Sequence, residues 1–412
     1  MSFDEKRTKN HIGKLCKILI VFCGFLLVFC AAFSPCDVAF ADEKSQEEVE
    51  KQLSDVVNSV LDSLDLDALK SLIQSLSSES SEALKIDDIK QEIKNLLSGN
   101  GTDFFERIFN LLSKAVGRYF LSFLPSFVTI ILLCLLKSML ASLTGDFLNG
   151  STTQIVHIVC YISIVIVLST GIMLVVKEVS DTINVLAKFA EVIFPLLLGL
   201  LSSLGAVSAA GGYTPLTAVL GNLIIKIVTS VVLPAFIASI VFCVVGGVSK
   251  SVKLDKLTKL VRSSSTWLIG IVFSLFASFL ALQGVSGGIS DKFGFGVAKF
   301  AISSYVPILG GYLSDGFDVL TASIVLVKNA VGYTGAIVLC ATVVFPIVKV
   351  VVFSLTLKLC AAIAEPIGDE CVAILLSDVA KNVNLLITAL AGVAFLFFLM
   401  LMLIIGTCNF GV

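Results

Sequence analysis

Five charged residues, Lys137, Glu191, Lys226, Lys328 and Lys349, stand inside long apolar stretches. An ionisable side chain at the centre of a bilayer costs roughly 2.5 kcal/mol or more, so it faces a cavity, a partner or the interface. The chemistry open to these groups is ion or proton handling along a pathway, or pairing between helices. Lys137 and Lys328 are expected to snorkel, carrying their ammonium groups to the headgroups on long apolar stems. Lys226 and Lys349 lie deeper, and neither has a carboxylate in its own stretch, which argues against a proton-relay pair.

Other chemistry is excluded by what the sequence lacks. Gly284-Val285-Ser286-Gly287-Gly288 matches the G-x-S-x-G pattern of hydrolase nucleophiles, but that chemistry needs a histidine after the serine, and the histidines here are His11 and His157. The run reads instead as a flexible turn at a helix end. No Walker loop, H-E-x-x-H or EF-hand loop occurs, so no ATP hydrolysis, metal catalysis or cofactor is expected, and energy would come from a partner or an ion gradient.

The elements that position these groups are membrane helices. The chain has 412 residues, 57% of them hydrophobic and 15% charged, a balance that excludes a soluble core and predicts an all-α polytopic membrane protein. Apolar tracts run over about 119–143, 153–176, 189–210, 216–248, 265–284, 300–327, 331–363 and 383–406. Lys250, Lys253, Lys256, Lys259 and Arg262 face only Asp255 in their stretch, and the positive-inside rule puts that loop in the cytoplasm. Crossing by every tract from an outside start would leave the loop outside. Letting 189–210 and 300–327 enter and return gives about six spans plus two re-entrant elements. Surface-lying helices there would give the same count.

An internal duplication supports treating those two tracts alike. Residues Pro195 to Pro234 align without a gap to Pro307 to Pro346, with 13 of 40 pairs identical, including Gly199 with Gly311 and Ser202 with Ser314. Both copies then take the same orientation, and membrane proteins built from repeats place sites where the copies meet. Asp315 and Asp318 make the second tract a poor lipid-facing helix. The candidate pathway or packing residues are Lys226, Lys349, Lys328, Asn329, Asp315, Pro195, Pro307, Pro234 and Pro346.

Ahead of the membrane body, Lys6 to Lys17 form a basic region, Ile18 to Ala32 an apolar one, and Ala39-Phe40-Ala41 a cleavage motif, which together read as a signal peptide over 1–41. Residues 42–114 follow as an acidic extracytoplasmic region. Between 42 and 100 it holds 14 Asp or Glu against 6 Lys, which repels nucleic acid. Leu53, Val56, Val57, Val60, Leu61 and Leu64 follow helical spacing and predict an amphipathic helix, packed on its own region or docking a partner. Residues 115–187 then hold the first two transmembrane helices, 188–285 membrane repeat 1 and 299–406 membrane repeat 2. The eleven cysteines contain no C-x-x-C, and none falls in the acidic region.

In the membrane body, Phe194-Pro195-Leu196-Leu197-Leu198, Val207-Ser208-Ala209-Ala210, Leu282-Gln283-Gly284, Ala298-Lys299-Phe300, Val306-Pro307, Leu326-Val327-Lys328-Asn329, Val331-Gly332, Phe345-Pro346 with Lys349, and Pro366-Ile367-Gly368 occur in an order and spacing that resemble the stage III sporulation protein AE family of endospore-forming bacteria. The similarity covers roughly 177 to 405. Glu365 departs from the family pattern, which has an uncharged polar residue before the proline. The resemblance implies a non-enzymatic multi-pass component of the channel or secretion-like complex that joins mother cell and forespore. Its implied partners are ring-forming membrane proteins and a secretion-type ATPase, a homo-oligomer being compatible with it. Its implied site is the mother-cell side, in the outer forespore membrane. The competing reading is a secondary permease with its site between the two repeats.

Overall fold

The computed structural model describes Ser59 and residues 67–74, 102–147, 150–248, 254–305, 310–367 and 369–407. The signal peptide, most of the acidic region and Pro307 lie outside the described residues. Every described element is a helix: α1 (Asp67–Gln74), α2 (Thr102–Phe147), α3 (Gly150–Ser203), α4 (Val207–Ala218), α5 (Ile225–Ile227), α6 (Leu233–Val248), α7 (Asp255–Tyr305), α8 (Gly310–Ala364) and α9 (Glu370–Gly406). Among the described residues, six stretches are long and apolar enough to cross a membrane: Asn110–Leu140, Ile155–Ser203, Val207–Gly247, Lys256–Gln283, Val319–Ala364 and Glu370–Gly406.

Helices α4, α5 and α6 form one rod joined by two wide π turns, Val219–Ile224 and Val228–Val232. The second ends just before Pro234, whose ring crowds the preceding turn and which has no N–H to give; a widened turn absorbs both defects. The rods pair as three antiparallel hairpins, α2 with α3, α4–α6 with α7, and α8 with α9. Helix α2 lies beside α8 in the same direction, since Phe123 meets Phe353 at 5.0 Å and Lys137 reaches the residue just before α9. Cys371 at the start of α9 donates to the Gly247 carbonyl at the end of α6, so the loops of the second and third hairpins lie at one end of the bundle. The two copies of the duplication therefore run in the same direction.

The tract 189–210 is not a separate element, since residues 189–203 continue α3. Of the tract 300–327, residues 300–305 end α7 and residues from Gly310 onward open α8. Helix α3 is 54 residues long, about 80 Å at 1.5 Å per residue, far beyond a hydrocarbon core of about 30 Å. Pro195 does not end it, because the face carrying Phe189, Ile193, Phe194 and Leu197 is buried and holds the helix against the bundle. The reversal comes at Leu204–Ala206. Gly205 has φ 81°, its N–H donates to the Ser202 carbonyl, and the Ala206 N–H donates to the Leu201 carbonyl. This paired closure satisfies the last carbonyls of α3 and favours glycine in the left-handed position. The equivalent residues of the second copy, Gly316 to Asp318, are helical within α8, so the copies differ in where they bend. Residues 284–288 also lie inside a helix, α7, rather than in the flexible turn expected of them.

Large exposed apolar side chains mark the lipid-facing belt. On α2 they run from Val116 to Met139 and on α3 from Ile155 to Leu174, spans of about 35 and 29 Å that match a hydrocarbon core. Past Leu174, α3 exposes Lys177, Asp181, Lys188 and Glu191 instead.

Candidate functional site

The charged residues inside the apolar tracts are gathered into locks between helices. Lys137 on α2 and Asp369, just ahead of α9, pair at 2.6 Å with both residues buried. Asp369 also accepts the Val372 N–H at 3.3 Å, capping the first turn of α9. Its carboxylate thus serves two positive partners, the ammonium and the exposed amide end of a helix. Ser138 adds a hydrogen bond to the Ile367 carbonyl at 3.0 Å, tying α2 to the same loop.

Lys328 on α8 is fully buried and works at the opposite end of α9. Its Nζ donates to the Ile405 carbonyl at 3.0 Å and to the Thr407 carbonyl. The last carbonyls of a helix have no intrahelical donor and carry the negative end of its dipole, so an ammonium there answers both. Tyr213 on α4 meets the Thr407 hydroxyl at 3.1 Å, adding a second element to the same terminus. Each end of α9 is therefore held by a lysine from another helix.

The third lock lies between these levels. Lys349 on α8 and Glu178 on α3 pair at 2.5 Å and are about a quarter exposed; the ammonium stands 5.8 Å from the centre of the Tyr119 ring on α2. Three helices meet at this cation, where the lipid-facing belt of α3 ends and its charged belt begins.

These positions correct the snorkelling expected of Lys137 and Lys328: both are buried and paired within the bundle. Lys349 has its carboxylate on another helix. Lys226 is exposed on α5, and Glu191 is exposed on α3. Asn329 is half-buried beside Lys328, Pro346 is buried inside α8, and Pro195 and Pro234 are exposed on their helices. Asp315 belongs to the first turns of α8, outside the residues whose side chains are described. The candidates whose side chains are described do not share one centre. Sequence reasoning missed Asp369 and Glu178, since the first stands in a loop and the second in a charged stretch between apolar tracts.

Small residues let the rods close around the locks. A methyl group on Gly392 would run into the Phe273 ring, and one on Gly332 into Ile405. Phe189, Phe194 and Phe397 form a ring cluster with centroids 5.8 to 6.2 Å apart, fixing the far half of α3 to α9.

Six long apolar helices, with Lys137, Lys328 and Lys349 each answered from another part of the bundle, define a polytopic helical membrane protein. Over residues 87–408 the sequence matches the family Stage III sporulation protein AE, and the chain belongs to that sporulation family. It is 27% identical over 281 residues to the stage III sporulation protein AE of Bacillus subtilis (strain 168), an alignment covering 68% of this chain and 70% of the relative. No solved structure matches the chain.

Proposed function

We propose that this chain is a non-enzymatic, multi-pass component of a channel or secretion-like complex joining mother cell and forespore during endospore formation. The family match across residues 87–408 carries the reading. In this reading the chain works with ring-forming membrane proteins and a secretion-type ATPase, which supplies energy this chain has no motif to harvest. Residues 1–41 direct export, residues 42–114 lie outside the cytoplasm, residues 115–187 supply the first hairpin, and repeats 188–285 and 299–406 form the body. The basic loop after α6 faces the mother-cell cytoplasm, and the protein sits in the outer forespore membrane. The lysine locks suit a part that holds its shape within an assembly, and Lys349 with Glu178 is the charged pair best placed to face a passage.

The test is affinity purification of the tagged chain from detergent-solubilised sporulating cells. Recovery of ring-forming proteins and the ATPase is expected. Recovery of the chain alone, together with solute uptake by vesicles containing only this protein, would replace the reading with the permease. One observation bears on that alternative: a cavity of about 200 Å³ lies between α6 and α7 of the first repeat and α9 of the second. It sits at the end of α6 and the starts of α7 and α9, away from the middle of the spans, whereas permease sites lie near the bilayer midplane.

A further inference from the structure

The cavity between α6, α7 and α9 is lined by Cys243, Gly246 and Gly247, by Thr258, Lys259 and Arg262, and by a face of α9 carrying Cys371 and Asp378. All of these residues fall within the last six residues of α6 or the first nine of α7 and α9. At 1.5 Å per residue the cavity lies within about 13 Å of the helix ends, nearer one edge of the apolar spans than their middle.

Its charges are unevenly matched. Asp378 is engaged by Lys381 at 2.9 Å, while among the described residues neither Arg262 nor Lys259 is in an ion pair. Arg262 is half-buried, and the carboxylate that shares the cavity with it, Asp378, is the one held by Lys381. The exposed side chains around the cavity include the apolar Val245 on α6, Leu257 and Leu260 on α7, and Ile374 on α9, alongside the charged Lys256 and Glu370. Beneath it, Asn382 is buried, with Nδ2 donating to Cys243 Sγ at 3.3 Å and Oδ1 finding no donor in the protein.

A pocket near one edge of the apolar spans, with cations outside any ion pair on one wall and apolar side chains at its rim, fits an anion that carries hydrocarbon. We propose that it binds the headgroup of an anionic phospholipid. Arg262 holds the phosphate by its planar fork of donors, Lys259 adds a second positive charge, and the acyl chains run down the apolar faces of α7 and α9. Basic pockets between membrane helices take anionic lipid by this combination.

The test uses the purified full chain and native mass spectrometry of protein released from mixed phosphatidylglycerol and phosphatidylcholine nanodiscs, with thermal unfolding in detergent as a second readout. The wild type should retain phosphatidylglycerol several-fold over phosphatidylcholine and melt higher when it is added. Arg262→Gln should lose most of that preference, whereas Lys177→Gln, which removes the same charge on exposed α3, should keep it. Should Arg262→Gln fail to fold, Arg262→Lys takes its place and should show a reduced preference. Equal retention of both lipids by the wild type, or unchanged preference in the Arg262 variants, overturns the proposal. So does stabilisation by millimolar inorganic phosphate that phosphatidylglycerol does not exceed, since that would mark a site for a soluble anion.

Discussion

Lys137 and Lys328 show how a charge in an apolar tract can serve architecture. Taking one partner from a buried pair leaves the other uncompensated, at a typical cost of about 3–5 kcal/mol. Lys137→Met should therefore destabilise the bundle by that amount in a detergent-micelle unfolding measurement, and adding Asp369→Asn should recover much of it. A single-variant loss below 1 kcal/mol would show that the pair holds nothing. Replacing Lys328 with Met strands two helix-end carbonyls, each worth about 1–3 kcal/mol when buried without a donor. The same assay should show the loss, with faster hydrogen exchange confined to the last turns of α9. The lysines themselves were legible in the sequence, but their surroundings were not. Asp369 is 232 residues from Lys137, and Lys328 is answered by backbone carbonyls, which every residue carries and no sequence pattern marks.

Helices were readable wherever lipid or core imposed apolar residues, and their ends were not. The tract at 189–210 looks separate because Lys177, Glu178, Asp181 and Lys188 interrupt the hydropathy. In the folded chain Lys177, Asp181 and Lys188 point outward while the buried face of α3 continues past them. Composition averaged along the chain erases that distinction between faces. Pro195 likewise read as a break, yet packing on one face of α3 outweighs the hydrogen bond a proline removes. Helix contact at Gly392 sets the next prediction. Gly392→Ala pushes a methyl group into Phe273 and should cost about 1–3 kcal/mol; pairing it with Phe273→Leu in the same unfolding assay should restore part of the loss. No recovery in the double variant would mean that another contact limits the approach of α7 and α9.

For the whole molecule, the duplication and the six long rods were evident from sequence, while the placement of the copies was not. Which helices pair depends on contacts between residues far apart in the chain, such as Phe189 with Phe397. The expected orientation is testable in cells. Ser208, exposed just after the α3–α4 reversal, and Ser263, exposed on α7 near the basic loop, lie toward opposite ends of the bundle. With cysteine placed at each in a background lacking the native cysteines, a membrane-impermeant thiol reagent should label position 208 and spare 263. Labelling of 263 alone would invert the topology.

The attachment of α9 at both ends also bears on how the chain is made. Lys328 precedes Ile405 by 77 residues, and Lys137 precedes Asp369 by 232. During synthesis, then, each ammonium enters the membrane long before the group that answers it has left the ribosome. Until that happens each must be sheltered by water, headgroups or the insertion machinery. Helix α9 satisfies both at once, so its arrival is the step that commits the earlier helices to their final depth.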